Sequence, residues 1–131
     1  MQKKKASELE LKILGHIWNL SNQATVQEII ENWDDLDKPG YTTILKKLQI
    51  MEKKGFVRHE KYGKAYKYIP IISKHEISHS RLEELLHNVY SNNRIDFAHA
   101  FFDDTNLSKK DLQEIRKMID LKEQEKNNDN S

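Results

Sequence analysis

The sequence contains no cysteine. Disulfides, thiolate metal sites and a cysteine nucleophile are therefore excluded, and the absence fits a reducing cytoplasm. Glycine is scarce, at 4 of 131 residues, and none belongs to a G-x-G-x-x-G or G-x-x-x-x-G-K phosphate loop. No apolar run approaches the ~18 residues of a membrane-spanning helix. The basic start Met1-Gln2-Lys3-Lys4-Lys5 lacks the apolar stretch of a secretory signal behind it. Hydrophobic residues make up 37% of the chain and charged residues 33%. That suffices for a modest core and is too little for a deep catalytic pocket. These absences describe a soluble cytoplasmic protein with no membrane association, no cofactor and no enzymatic activity.

The formal net charge of +1 hides an asymmetry. Residues 1–72 carry 13 basic and 9 acidic side chains, and residues 73–131 carry 9 and 12. Within 41–67 the count is 8 basic against 2 acidic. A dense local positive field on a near-neutral chain marks a surface built for a polyanion.

Helix starts are written clearly. Ser7-Glu8-Leu9-Glu10, Thr25-Val26-Gln27-Glu28 and Ser73-Lys74-His75-Glu76 are capping boxes, in which each terminal side chain satisfies an orphan amide. Leu9, Ile13, Leu14, Ile17, Trp18 and Leu20 repeat at helical spacing and predict a first helix ending near Asn19. A short second helix runs through Ile29, Ile30 and Trp33. Asp34, Asp35, Asp37, Pro39 and Gly40 break the pattern. A third helix spans Tyr41 to Lys54 with Ile44, Leu45, Leu48 and Met51 as its core face, and Gly55 stands where a helix terminator belongs. The period then changes from 3.6 to 2. Phe56–Lys61 and Ala65–Ile69 read as strands joined through Tyr62-Gly63-Lys64. A long helix follows to about Tyr90, then a helical stretch over 94–102, then a last helix from Ser108 lined by Leu112, Ile115, Met118, Ile119 and Leu121.

The fold class is thus mainly α with a small β-hairpin: an N-terminal winged helix-turn-helix and a C-terminal helical dimerisation region. The domain limits read as 1–72 for DNA binding, 73–126 for dimerisation and 127–131 for a disordered tail. In a winged helix the third helix enters the major groove and the hairpin reaches the backbone. Tyr41, Thr42, Thr43, Lys46 and Lys47 on that helix, with Gln49, face away from Ile44 and Leu48. Hydroxyls and lysines suit phosphates, and glutamine can pair with adenine. The wing adds Arg58, Lys61 and Lys64, with Tyr62 and Tyr66 interleaved. The partner implied is double-stranded DNA. The alternative is a winged-helix protein-interaction module without DNA binding. Acidic replacement of the 41–67 lysines would favour that alternative, and the positive balance speaks against it.

Two further motifs need weighing. His75-Glu76-Ile77-Ser78-His79 matches H-E-x-x-H, the zinc-peptidase helix. Catalysis would need a third protein ligand and a cleft, and Glu76 is already occupied in a capping box, so the stretch reads as a polar helix face with no metal. Trp18 and Trp33 share helical spacing with Ile13, Ile17 and Ile29 and read as core.

Taken in order, Ser7-Glu8-Leu9-Glu10, Ile13 to Trp18, Thr25 to Ile29, Gly40-Tyr41-Thr42-Thr43-Ile44, Glu52-Lys53-Lys54-Gly55-Phe56-Val57 and Gly63-Lys64-Ala65-Tyr66-Lys67-Tyr68-Ile69-Pro70 form a recognisable set. So do the Phe-containing stretch at 97–102 and the Leu107-Ser108 helix start. This ordered set resembles the penicillinase-repressor family of winged-helix regulators, over almost the whole chain. The resemblance implies a homodimeric transcriptional repressor on an inverted-repeat operator, controlling antibiotic-resistance or metal-homeostasis genes. It implies C-terminal dimerisation helices; Leu112, Ile115, Met118 and Ile119 could pack on the previous helix, but residues 73–131 alone make few layers, so these side chains read as an intersubunit core. The resemblance also implies relief of repression by a sensor protease. Aligned back from Leu107-Ser108, the family's cleaved Asn-Phe bond falls at Ala100-Phe101, where Ala replaces Asn; Asp96-Phe97 is a second candidate. A copper-responsive branch uses a C-terminal cysteine cluster, which this chain lacks.

Overall fold

The computed structural model of the chain describes residues 5–34 and 36–129. The basic start at 1–4, Asp35 of the interhelical break and residues 130–131 of the tail lie outside the described residues. The elements follow in the order α1 (Glu8–Asn19), α2 (Val26–Glu31), α3 (Tyr41–Lys54), β1 (Val57–Tyr62), β2 (Ala65–Pro70), α4 (Lys74–Asn88), α5 (Arg94–Asp104) and α6 (Lys109–Asp129).

All three capping boxes close. The Ser7 amide donates to Glu10 Oε1 at 2.8 Å, and the Glu10 amide donates to Ser7 Oγ at 3.3 Å. Thr25 and Glu28 exchange the same bonds at 2.9 and 3.1 Å, as do Ser73 and Glu76 at 3.4 and 3.0 Å. Each such cap is worth about 1 kcal/mol. Ser21 and Asn22, both left-handed at φ 68° and 66°, turn the chain between α1 and α2. At the end of α3, Gly55 adopts φ 84°, a conformation that side chains with a Cβ resist. The next amide, that of Phe56, folds back onto the Met51 carbonyl at 2.9 Å. That bond consumes Phe56 in the helix terminus. The first strand accordingly begins at Val57, one residue later than the period-2 pattern suggested.

β1 and β2 pair antiparallel, from Val57 opposite Pro70 to Tyr62 opposite Ala65. The turn is therefore Gly63-Lys64 alone, with Gly63 at φ 60°, and Tyr62 belongs to the strand. A further rung joins the hairpin to the start of α2. Ala24 N–H donates to the Tyr68 carbonyl at 3.1 Å, and Tyr68 N–H donates to Ala24 at 2.7 Å. Ile13, Leu14 and Ile17 of α1, Ile29 of α2, Ile44, Leu48 and Met51 of α3, and Phe56, Val57 and Tyr68 are buried together as one core. Trp33 is buried with them, and Trp18 packs half-buried at the margin.

The chain divides into two compact units, 1–81 and 82–131. The division falls inside α4, past the 72/73 boundary, because the start of α4 is tied to the first unit. Ile77 is buried in its core, and Arg81 pairs with Glu8 at 3.1 Å and donates to the Ala6 carbonyl. The second unit holds the rest of α4, α5 and α6. Asn93 caps α5 by accepting from the Ile95 and Asp96 amides, both at 3.1 Å. Ser108 and Asp111 close a box at the start of α6. Residues 127–129, expected in a disordered tail, continue α6 instead. No Gly or Pro interrupts that stretch, and Lys126 suits the negative end of the helix dipole. Among the described residues no helix is long and apolar enough to cross a membrane.

Candidate nucleic-acid interface

Burial of Ile44, Leu48 and Met51 fixes the roll of α3 and so decides what it shows outward. Thr42, Lys46, Gln49 and Lys53 recur at helical spacing and are all exposed. Tyr41 and Thr43 are exposed at the first turn. Lys47 is half-buried, on the flank nearer the core. The exposed side therefore combines hydroxyls, an amide and two ammonium groups, the types that bond phosphate oxygens and base edges.

The strand register sorts the wing residues. Residues directly opposite share a face, and alternate residues along a strand change face. Val57, His59 and Lys61 thus lie with Tyr66 and Tyr68, while Arg58, Glu60 and Tyr62 lie with Ala65 and Lys67. Lys61 and Arg58 occupy opposite faces. Arg58 is paired there with Glu60 at 2.5 Å, and Lys67 Nζ stands 4.0 Å over the Tyr62 ring. Lys64 is at the turn.

An open groove of about 930 Å³ separates α3 from the wing. Tyr41, Gln49, Glu52 and Lys53 line it from α3, and His59, Lys64 and Tyr66 from the wing, with Thr25 and Gln27 of the α2 start completing the lining. Tyr68 also lines it. Burial pushes the Tyr68 phenol above its ordinary value, and the Glu52 carboxylate and the phenols of Tyr41 and Tyr66 add to the push. That phenol stays protonated and can donate. The groove brings together Tyr41, Gln49, Lys64 and Tyr66 from the residues singled out in the sequence. It adds Lys53, Gln27, Glu52 and His59, which were not. Lys53 was legible as the next member of the Thr42–Lys46–Gln49 stripe; Gln27 and Glu52 carry no local signal.

Beneath this surface Lys54, in the last turn of α3, bonds Glu10 of α1 at 2.7 Å. Glu10 is fully buried. Burial alone would raise its carboxyl, but the bonds from Lys54 and Ser7 outweigh it and hold the group below its ordinary value.

The other candidate residues lie in α4 to α6. His75 and His79 stack with ring centroids 6.2 Å apart. Among the described residues no group of three or more His, Cys, Asp or Glu side chains could hold a metal. Ala100 is half-buried and Phe101 exposed, both inside α5. Phe97 meets Tyr90 edge-on at 5.7 Å. On α6, Leu112, Met118, Ile119 and Leu121 are exposed and Ile115 is half-buried.

The penicillinase repressor family model matches residues 6–121. The chain is 22% identical over 116 residues to the methicillin resistance regulatory protein MecI of Staphylococcus aureus, covering 88% of this chain and 94% of that one. It is 27% identical over 70 residues to the transcriptional regulator BlaI of Mycobacterium tuberculosis, covering 53% of this chain. The match spans only 51% of that mycobacterial relative, about half its length. A solution structure of Bacillus licheniformis BlaI, in its monomeric form with the blaP half-operator, aligns with a TM-score of 0.47 and 27% identity. That alignment covers 56% of this chain and 88% of the other.

Proposed function

Because the chain belongs to the penicillinase repressor family, we propose that it is a DNA-binding transcriptional repressor, not an enzyme, acting in the cytoplasm as a homodimer on an inverted-repeat operator. The observation that carries the reading is the exposed Thr42–Lys46–Gln49–Lys53 stripe of α3 beside a basic wing. Tyr41, Thr42, Thr43, Lys46 and Lys47 would meet the major groove and its phosphates, and Lys61 and Lys64 the adjoining backbone, with Arg58 on the wing's other face. Homodimerisation is supported by the apolar side chains that α6 leaves in solvent, since a two-fold dimer matches a two-fold operator. Neutralising phosphates releases counterions, so log affinity falls linearly with log salt. Lys46→Ala combined with Lys47→Ala should weaken binding and flatten that slope by ~0.9 for each phosphate no longer neutralised. Superimposable salt titrations for wild type and the double variant would rule out DNA binding through α3.

Repression of antibiotic-resistance genes would end when a sensor protease cuts α5, at Ala100-Phe101 or at Asp96-Phe97. Either cut severs α6 from the DNA-binding unit. Each freed monomer then holds one half-site without the effective concentration that linkage supplies. Both bonds lie within α5, so the helix must unwind locally before an extended substrate site can accept it. Cells exposed to a cell-wall antibiotic should accumulate a fragment ending at Ala100 or Asp96, read by intact mass. Full-length protein throughout, with the target promoter induced, would refute the cut.

A further inference from the structure

The positive stretch 41–67 contains only two acidic residues, Glu52 and Glu60. Glu60 is held on the outer face of the wing by Arg58. Glu52 is different, because it projects from α3 and is held by the wing. A carboxylate can only accept, so the His59 imidazole donates its Nδ1–H to Glu52 Oε1, at 2.5 Å. The same ring is gripped from β2. Tyr66 meets it edge-on with centroids 5.1 Å apart, and Tyr68 lies tilted at 5.8 Å. Tyr68 is itself fixed through its backbone to Ala24. His59 therefore joins α3, through Glu52, to the face of the wing bearing Lys61, which stands opposite Tyr66.

We infer that His59 is a positioning residue for DNA binding: it sets the wing against α3 so that Lys61 and Lys64 reach phosphates while α3 is in the groove. The inference rests on the DNA-binding reading above. Its logic is one of registration. A two-stranded hairpin is a pliable arm, and a lysine at its tip gains nothing if the arm swings. His59 itself touches no phosphate in this assignment. An exposed His–Glu pair contributes little to stability, so the loss should show in binding and not in melting.

The test uses the full chain and a fluorescein-labelled DNA duplex of mixed sequence, since phosphate recognition needs no particular bases. His59→Ala should lower affinity about tenfold and flatten the salt slope by ~0.9 for each of the two lysines that leaves its phosphate. Lys61→Ala with Lys64→Ala should do the same. Adding His59→Ala to that pair should cost nothing more. His59→Gln, whose amide can still donate to Glu52, should restore binding, and melting temperatures should stay together. Additive losses in the triple variant, or an unchanged slope in His59→Ala, would overturn the positioning role while leaving DNA binding intact. A wild type that shows no salt-dependent binding at all would remove the DNA reading and this role with it.

Discussion

In the proposed homodimer, replacing Ile115 and Ile119 with Asp is expected to give monomers and to weaken binding to the proposed operator in the same step. The two positions lie four residues apart on α6, on one face with Leu112. Among the described residues from Leu82 onward none is buried, although this stretch holds Leu82, Leu85, Val89, Ile95, Phe102 and Leu121, all exposed. A single chain therefore leaves its C-terminal apolar surface uncovered. Apolar side chains left exposed in such number are what an association surface supplies. Ile119 is 51% exposed, so completing its burial is worth about 1 kcal/mol. Placing a carboxylate there costs several kcal/mol more, since a buried unpaired charge has no compensation. Over two copies the substitutions act twice. Even if repacking and hydration recover most of this, a remaining loss of about 4–5 kcal/mol corresponds to roughly a thousandfold weaker dimer, and a larger one to no dimer at all. Light scattering during size-exclusion chromatography reads the mass, and gel shift reads operator affinity. An unchanged dimer mass would show that the α6 face is not the interface.

The second large effect belongs to Lys54. Substitution by Met is expected to destabilise the N-terminal unit by about 3 kcal/mol, the lower end for breaking a buried pair, because Lys54 is still 23% exposed. For a domain of this size that lowers the melting temperature by on the order of 15 °C. The reason is the stranded partner. Glu10 Oε2 already lacks a hydrogen bond among the described residues, and Oε1 would keep only the Ser7 amide. The pH dependence follows. In the wild type the folded carboxyl lies below its ordinary value of 4.5. Its stabilisation is complete above that value and is lost as pH falls through the folded one. In Lys54→Met the Lys54 bond and charge are gone and only the bonds from Ser7 still oppose burial, so the carboxyl moves up relative to the wild type. The destabilisation is then full near neutrality and shrinks on acidification as Glu10 takes up a proton. Urea melts at about pH 7 and pH 4 should show the two proteins converging. A gap below about 1 kcal/mol near pH 7 would mean that the pair does not hold α1 to α3.

Ser7, Thr25, Ser73 and Gly55 announce their helix ends within four residues, and each stands where the local pattern puts it. Local hydrogen bonding is enough to specify such points. The strand edges are less legible. Phe56 carries strand-like chemistry, but its amide is committed to closing α3, a fact of backbone geometry and not of composition. Glu10 looks like a solvent-facing capping residue until Lys54, far along the chain, is brought onto it. For the interface, the residue types on α3 were readable because core burial fixes the opposite face. Arg58 and Lys61 could be told apart only by strand alternation, since both are simply basic in sequence. His59 was passed over because its meaning depends on Glu52 and two tyrosines that only the hairpin register brings close.

The two bonds between Ala24 and Tyr68 bear on the order of synthesis. A chain leaves the ribosome N-terminus first, and α1, α2 and α3 can each begin to form from local interactions. The rung that fixes the turn before α2 has to wait for Tyr68. So does the cover that Phe56, Val57 and Tyr68 place over the core. A message cut short ahead of the wing would yield α3 on an unclosed scaffold. Such a product would expose apolar surface that chaperones and proteases engage. One short rung thus ties completion of the N-terminal unit to synthesis of the whole hairpin.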